Sequence, residues 1–312
     1  MKLRNKFMLA ALAFLPVVSC VEDFEIKVAK ESSTRLVVDC LLTTELSEHT
    51  TNNIVRLTTS EPYSSTRRTE VENATVILSD GERTMHLEQL AGSGEYVTPK
   101  DFQGEAGRTY TLEVDAELDG EPVHCKSSAT MPPSGIRADA MDYYKMSDSL
   151  WVFALWGQDE PGIISHYGGE LVVHGVRQPY NKWVFIDGSD MFDGNYLWGG
   201  EYLFYSTSSL LVPEGQEPNT PLVEGDEVTL YFYSMEDFFY EWFMSMSTET
   251  MAHFPMFSPQ PANLPSNIEG DGIGVFGLAN VTKISVTIGD PDRTHEQMIM
   301  DHLKTMPAIC EE

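Results

Sequence analysis

The strongest constraint on the fold is a period-two alternation of apolar and polar residues in GRTYTLEVDAELDGEPVHCKSSATMP (107–132). Tyr110, Leu112 and Val114 fall on one face of an extended chain, and threonines and acids alternate with them. Such alternation is typical of an antiparallel strand that buries a single face. Asp119-Gly120 follows, and both residues tolerate the positive φ of a two-residue hairpin turn. The segment predicts a β-hairpin that needs a second sheet against its apolar face.

Similar signals recur towards the N-terminus. RLVVDCLL (35–42), NNIVRLTTS (52–60) and NATVILSDGERTMHLEQL (73–90) are strand-like, and Asp80-Gly81 again separates two apolar runs. Roughly six or seven short strands over about a hundred residues are typical of an immunoglobulin-like sandwich. We predict an immunoglobulin-like antiparallel β-sandwich over residues 35–132.

A stiff break follows this region and precedes a different composition. MPPSG (131–135) interrupts any strand because it carries two prolines and a glycine. The region 136–312 holds all five tryptophans, and we predict there an aromatic-rich, mostly antiparallel β domain. Its predicted strands are LWVFALWG (150–157), GELVVHGV (169–176), KWVFID (182–187), EYLFYSTSSLLV (201–212), DEVTLYFYS (226–234) and a final VTKISVTIG (281–289).

One stretch of this second region has helical rather than strand periodicity. In SMEDFFYEWFMSMSTETM, apolar residues recur every three or four positions, which predicts an amphipathic helix at about 235–251. Ser234 is the expected N-cap, and Asp237 occupies the capping-box position. We also expect a short terminal helix at about 294–304. The predicted core face consists of Phe239, Trp242, Phe243 and Met246.

The first twenty residues, MKLRNKFMLAALAFLPVVSC, have a basic start and then an apolar run too short to span a bilayer. Ser19 and Cys20 end that run. This order resembles a bacterial lipoprotein signal peptide with VVSC as the lipobox. We expect residues 1–19 to be a signal peptide, Cys20 to be lipidated, and the lipid to be the only anchor. The alternative is an ordinary signal in which Cys20 is incidental.

Acidic residues follow the cysteine at once, at Glu22, Asp23 and Glu25. An acidic patch in this place resembles the export signal of surface-exposed lipoproteins of the Bacteroidetes; a solvated acidic linker is the alternative. Residues 20–34 are the predicted lipidated tether. We expect an outer-membrane, lipid-anchored protein exposed at the cell surface, with a periplasm-facing position as the alternative.

Net charge and cysteines exclude several classes of partner. A formal net charge of −28 repels phosphate backbones and anionic headgroups, so we expect no nucleic-acid partner and no basic membrane patch. Beyond Cys20, the chain has Cys40, Cys125 and Cys310. A Cys40–Cys125 disulfide and two buried free thiols both fit the sequence, and the thiols are favoured. No CxxC motif occurs, so we expect no zinc site and no cofactor.

These pieces together resemble the Bacteroidetes lipoprotein family with the domain of unknown function DUF4249. The resemblance rests on the order and spacing of RLVVDCLL, ENATVILSDG, GEAGRTYTLEV, DGEPVHCKSSATMP, VEGDEVTLYFYSMEDFFYEWF and NLPSNIEGDGIGVFG. It implies an envelope lipoprotein with an N-terminal immunoglobulin-like or carboxypeptidase-regulatory-like sandwich. It also implies a TonB-dependent outer-membrane transporter as partner, and it carries over no catalytic residue. Cys40 departs from the larger or glycine residue expected there.

The glycine-rich NLPSNIEGDGIGVFG (263–277) is the most unusual stretch. Without a Walker lysine it does not fit a phosphate loop, and we expect a β-bulge or tight loop entering the last strand. A ligand loop is the alternative. In FIDGSDMFDGN, Asp187, Asp190 and Asp193 are weak calcium candidates, because they recur every third residue rather than every second. A solvated turn is the default there.

The aromatics of GNYLWGGEYLFY are the candidate ligand-binding residues, since exposed rings stack on glycans or other small molecules. They are Tyr196, Trp198, Tyr202 and Tyr205. Core packing is the alternative for each of them.

No sequence pattern selects catalytic residues. HExxH and GxSxG are both absent from the sequence, and His295 and His302 are only two potential ligands on one predicted helix face. We expect no enzyme activity but a non-catalytic binding or accessory component of a TonB-dependent uptake system. A structural or adhesive surface lipoprotein is the alternative, followed by a hydrolase of polymeric substrates.

Overall fold

The structure is a computed structural model that describes residues 34–47, 52–61, 67–163, 166–177, 184–187, 196–208, 219–251 and 264–305. The chain is mainly β, which confirms the predicted fold class. The described strands are β1 Leu36–Thr43, β2 Ile54–Thr59, β3 Thr75–Ser79, β4 Thr84–His86, β5 Glu88–Gln89, β6 Glu95–Val97, β7 Thr109–Leu118, β8 Glu121–Thr130, β9 Ile136–Ser147, β10 Leu150–Asp159, β11 His166–Val173, β12 Val176–Arg177, β13 Val184–Asp187, β14 Tyr196–Ser206, β15 Glu227–Met235, β16 Glu269–Gly270 and β17 Gly272–Thr287. The described helices are α1 Asp237–Met251 and α2 His295–Thr305.

Three sheets build two sandwiches. The longest sheet has the order β12-β11-β15-β17-β1-β2-β6-β5, with β13 also paired to β11. Against one part of it lies the sheet β16-β8-β7-β3-β4, and against the other the sheet β14-β10-β9. Each interface encloses its own apolar core, with Leu57 and Leu112 in the first and Phe153 and Leu230 in the second. The alternating faces predicted from the sequence therefore line two cores.

Strand β17 joins the two sandwiches. Its first half pairs in parallel with β1, from Leu36↔Gly272 to Thr43↔Ala279. Its second half pairs antiparallel with β15 as far as Glu227↔Thr287. The described part of Thr34–Glu312 accordingly forms one compact unit. The domain limits 35–132 and 136–312 stay a prediction.

The last six residues of the glycine-rich stretch lie within β17, which begins at Gly272, so the predicted start of the last strand at 281 was wrong. Gly274 has a φ of +127°, and a side chain there would overlap the Val38 carbonyl oxygen. A side chain at Gly277 would overlap the Phe239 ring. The glycines therefore permit close approach of β1 on one side and of α1 on the other.

The two Asp-Gly turns differ. Asp119 and Gly120 have φ values of +53° and +85°, as a two-residue hairpin turn requires. At Asp80 the loop is longer, because the Asp80 carboxylate accepts the N–H groups of Glu82 at 3.0 Å and Arg83 at 2.6 Å. Side-chain capping replaces the expected tight turn there.

Helix α1 confirms the predicted helix and its core face, since Phe239 and Phe243 are buried against the long sheet. Its predicted cap was wrong. Ser234 lies in β15, and its hydroxyl accepts the Gly135 N–H at 3.0 Å. The carboxylate of Glu236 caps the helix instead.

The three-stranded sheet contains one strand that the sequence did not predict, and a helix packs against it. Strand β9 was not predicted, because charged residues interrupt its apolar face, yet it pairs with β10 along its length. Helix α2 confirms the predicted terminal helix and buries Met298 against Tyr144 and Val152.

Among the residues that the structure describes, no helix is long and apolar enough to cross a membrane.

Candidate functional site

Several ionisable side chains and one amide meet on the face of the long sheet that carries α1, away from the second apolar core. They come from the loop after β1, from the hairpin β11–β12, and from β15 and β17. We call this group the Arg177 cluster, and it consists of Glu45, Asn52, Glu170, Arg177, Tyr231, Tyr233 and Lys283.

Sheet register sets up the cluster. Glu170 on β11 and Lys283 on β17 are both direct neighbours of Tyr231 on β15, so the three side chains lie side by side on one face. Arg177 reaches the same face because the turn at His174-Gly175, with φ values of +54° and +74°, returns the chain as β12. Two-residue turns of this kind hold the hairpin register tightly.

Arg177 lies at the centre. Its guanidinium donates to both carboxylate oxygens of Glu45, at 3.1 and 3.2 Å, and contacts Glu170 at 3.5 Å. It also donates to the Tyr233 hydroxyl at 3.2 Å and lies 4.2 Å from the centre of the Tyr231 ring. This use of both the hydrogen-bonding edge and the face is what a planar guanidinium offers over an ammonium group.

Glu45 ties the first sandwich to the second. Its side chain is only 2% exposed, and it accepts from Asn52 at 3.0 Å and pairs with Lys283 Nζ at 2.7 Å. Lys283 is more open, with 43% of its side chain exposed. Two cations therefore compensate one buried carboxylate from opposite sides of Tyr231.

Burial dominates the electrostatics of the other members. The pKa of the Glu170 carboxyl is raised, chiefly by burial, although Arg177 and the 2.8 Å hydrogen bond from Tyr233 both act to lower it. The pKa of Tyr233 is raised well above its ordinary value by burial and then by the charge of Glu170. Burial lowers the pKa of Arg177, but Tyr233, Glu45 and Glu170 outweigh it, and the net shift is upward.

Chemically, the cluster holds structure together rather than presenting a reactive group. Glu170 faces one cation and one neutral donor, Glu45 faces two cations and one neutral donor, and Tyr233 is fully buried. A buried carboxylate paired in this way is held in place by its partners, and removal of a partner is costly. The exposed edge of the cluster is Lys283, beside the half-buried Tyr231.

The sequence alone did not identify this cluster. One signal was available, namely Glu170 inside the apolar run GELVV, because an acid in such a run needs a buried partner. The partner could not be read from the sequence, since Glu45 and Glu170 are 125 positions apart and meet through Arg177.

One known protein family matches most of this chain. The profile of the domain of unknown function DUF4249 matches residues 21–285. The chain belongs to the DUF4249 family. The match includes every member of the Arg177 cluster, so the cluster lies within the domain that defines the family.

Other similarities of this DUF4249 protein are weak. None of the curated proteins is detectably similar to it. Among solved structures, it is similar to a two fibronectin type-III domain segment from chicken tenascin, with 14% identity and a TM-score of 0.20. That similarity covers 66% of this chain and 93% of the tenascin segment. At that score it supports no statement about function.

The predicted aromatic ligand surface is described only in part. Tyr205 is 4% exposed, lies in the second core, and donates its hydroxyl hydrogen to the Thr220 carbonyl at 2.8 Å. Its ring therefore offers no face to a ligand in this structure. The side chains of Tyr196, Trp198 and Tyr202 lie outside the described residues, and their role as ligand contacts stays a prediction.

The predicted metal and lipid sites are mostly outside the described residues. Asp187 closes β13, where its backbone pairs with His166, and its side chain is not described. Asp190, Asp193 and Cys20 are outside the described ranges. Within those ranges, no group of three or more potential ligands is placed to hold a metal ion.

The remaining cysteines and histidines pack into the fold. Cys40 and Cys125 are free and buried in the first core, as favoured from the sequence, and burial raises the pKa of both thiols. Cys310 is outside the described residues. His295 and His302 do share a face of α2, but both rings pack on aromatic side chains. The centre of the His295 ring lies 4.7 Å from that of Tyr144, and the centre of the His302 ring lies 3.4 Å from that of Trp156.

Proposed function

We propose that this DUF4249 protein is a lipid-anchored outer-membrane component that binds or assists a TonB-dependent transporter without catalysing a reaction. Residues 1–19 serve as the export signal and residues 20–34 as the tether, with the lipid on Cys20. The folded unit that follows is the part that meets the partner or its ligand.

The Arg177 cluster is the observation that supports a non-catalytic role. Active sites expose groups whose pKa values are perturbed to a substrate. Within the Arg177 cluster, Glu170 has a raised pKa, but its side chain is only 2% exposed and is covered by Arg177 and Tyr233. The ion pairs of Glu45 with Arg177 and Lys283 hold the loop after β1 against the second sandwich. This gives a stiff surface suited to binding.

The anchor and the partner have separate support. The order of apolar run, Ser19, Cys20 and acidic residues favours lipidation and export to the cell surface. The family resemblance favours the transporter. The strong negative charge favours a partner with basic contact surfaces, because complementary potentials speed association.

The test is a pull-down of the tagged full chain from gently solubilised native outer membrane, analysed by mass spectrometry. We expect stoichiometric recovery of one TonB-dependent transporter. The matched control is Cys20→Ala, which should lose the transporter because it does not reach the membrane. Recovery of the wild-type chain alone, from membranes in which the transporter is abundant, would contradict the proposal and favour an adhesive role.

A further inference from the structure

Strand β2 changes its neighbour part-way along, and a cleft opens where it does so. Up to Leu57, β2 runs beside β6, and the Leu57 N–H donates to the Gly94 carbonyl at 2.8 Å. Beyond Leu57 the neighbour is the segment before β3, in which Glu70 forms a bridge with Thr58. The cleft between these two neighbours has a volume of about 60 Å³, which is room for a few water molecules or for small charged groups.

The walls of the cleft are fixed by the first sandwich. A Cβ at Gly94 would overlap the Leu57 carbonyl oxygen, so only glycine lets the chain before β6 come this close to β2. The Glu70 carboxylate accepts the Gly94 N–H at 3.0 Å, which ties the two neighbours of β2 to each other. On the core side, the Tyr96 hydroxyl donates to the Val71 carbonyl at 3.2 Å, and both side chains are buried. The cleft is therefore a built feature of the fold.

Charged side chains of both signs line the cleft, and they are Arg56, Arg68, Glu70 and Glu95. Arg56 and Glu95 are direct neighbours on β2 and β6 and form an ion pair at 2.8 Å, with 26% and 34% of their side chains exposed. Arg68 is exposed and forms no ion pair within the described part of the chain. Its guanidinium therefore lines the cleft with its donors available to a ligand.

A carboxylate of β1 draws the two arginines together. Asp39 is the neighbour of Arg56 on the side away from Glu95. Burial raises the pKa of Asp39, and the charges of Arg56 and Arg68 both act against that rise. The two guanidinium groups thus lie near one carboxylate, although they come from separate segments of the chain.

We propose that this cleft is a binding site for a small zwitterion, and that it recognises the carboxylate and ammonium groups of an α-amino acid. Arg68, with Arg56 beside it, receives the carboxylate, for which a planar guanidinium offers paired donors. Glu70 and Glu95 receive the ammonium group. A simple anion fits less well, because these two carboxylates repel it.

The size of the cleft sets its selectivity. At about 60 Å³ it accommodates the two charged groups, and the side chain of the amino acid extends towards solvent. The site therefore recognises the class of ligand rather than one member. It does not depend on the transporter proposed above, because every contact comes from this chain.

A ligand-observed NMR titration of the full chain in detergent micelles tests the cleft. The probes are L-alanine, acetate and methylammonium, since each carries one methyl group whose signal reports binding. We expect saturable binding of L-alanine at neutral pH with a Kd on the order of 1 mM. Acetate and methylammonium each lack one of the two charges and should bind at least about tenfold more weakly.

Three variants assign the contacts. Arg68→Gln should weaken alanine binding by about tenfold or more, because it removes a charged donor. Arg67→Gln is the matched control, since it removes the same charge from the adjacent residue, which is not among those that line the cleft. Glu95→Gln should weaken the binding of alanine and strengthen that of acetate, because it removes a negative charge.

The wild-type titration decides the matter even if a variant fails to fold. Absence of saturable alanine binding would overturn the proposal. Acetate binding as tight as that of alanine, or equal losses in Arg68→Gln and Arg67→Gln, would overturn it as well.

Discussion

Replacement of Arg177 by methionine removes the central cation of the Arg177 cluster and keeps most of its apolar volume. Glu45 would still have Lys283 and Asn52, whereas Glu170 would keep only the Tyr233 hydroxyl among the contacts described above. The substitution therefore leaves one buried carboxylate without a cation.

The magnitude follows from that single uncompensated charge. Breaking a buried ion pair typically costs about 3–5 kcal/mol. Because 20% of the Arg177 side chain is exposed, water screens part of the interaction, and we expect a loss of about 2–4 kcal/mol. Lys283→Met is the matched control. Its side chain is 43% exposed and Glu45 keeps Arg177, so the loss should stay below about 1 kcal/mol.

Urea denaturation at neutral pH measures both losses. In addition, Glu170→Gln in the Arg177→Met background should restore about 1–2 kcal/mol, because it removes the unpaired charge. The deficit of Arg177→Met should also shrink as pH falls, since the pKa of Glu170 is already raised and protonation neutralises it. An Arg177→Met loss no larger than that of Lys283→Met, or a double variant less stable than the single one, would refute this reasoning.

Two further predictions concern the first sandwich and its strand β17. Gly277→Ala should lower the free energy of unfolding by about 1–3 kcal/mol in the same denaturation assay, because the new methyl group overlaps the Phe239 ring of α1. The control is Gly289→Ala, whose new methyl group would lie 4.0 Å from its nearest neighbouring atom. It should change stability by less than about 0.5 kcal/mol. Equal losses would show that α1 does not lie against β17. In a Cys310→Ser chain, Cys40 and Cys125 should react with a thiol reagent only on unfolding, because burial keeps both thiols protonated. Rapid labelling of Cys40 or Cys125 in the native chain, located by peptide mapping, would contradict their burial.

The spacing of apolar residues along the chain predicted the buried faces of individual strands and helices. The alternation at Tyr110, Leu112 and Val114 fixes which face of β7 is buried, and it needs no knowledge of the partner sheet. In the same way, the spacing of Phe239 and Phe243 fixes the buried face of α1. Both predictions were confirmed because each depends on side-chain direction alone.

The sequence did not predict which strands pair when they are far apart in the chain. The parallel pairing of β1 with β17 joins residues more than 200 positions apart, and nothing in RLVVDCLL indicates it. The glycines at 274 and 277 marked close contacts but did not identify the neighbouring atoms. The Arg177 cluster depends on a second long-range pairing, that of β15 with β17, which places Lys283 beside Tyr231.

The cap of α1 shows a different limit. Ser234 fits the preference for small hydroxyl residues, but it lies in β15 and its hydroxyl serves Gly135 instead. The strand continues one residue further than the rule assumes, so Glu236 is the side chain within reach of the first helical N–H groups. Tertiary pairing decided where the helix could begin.

We propose that a lipid on Cys20 holds this protein at the outer membrane with its folded unit facing outward. Membrane fractionation of cells that produce the wild-type chain or Cys20→Ala, combined with protease treatment of intact cells, tests it directly. We predict that the wild-type chain sediments with outer membranes and is cleaved in intact cells, whereas Cys20→Ala is recovered in the soluble fraction. Identical sedimentation of the two chains would contradict the claim, because the cysteine would then not be the anchor.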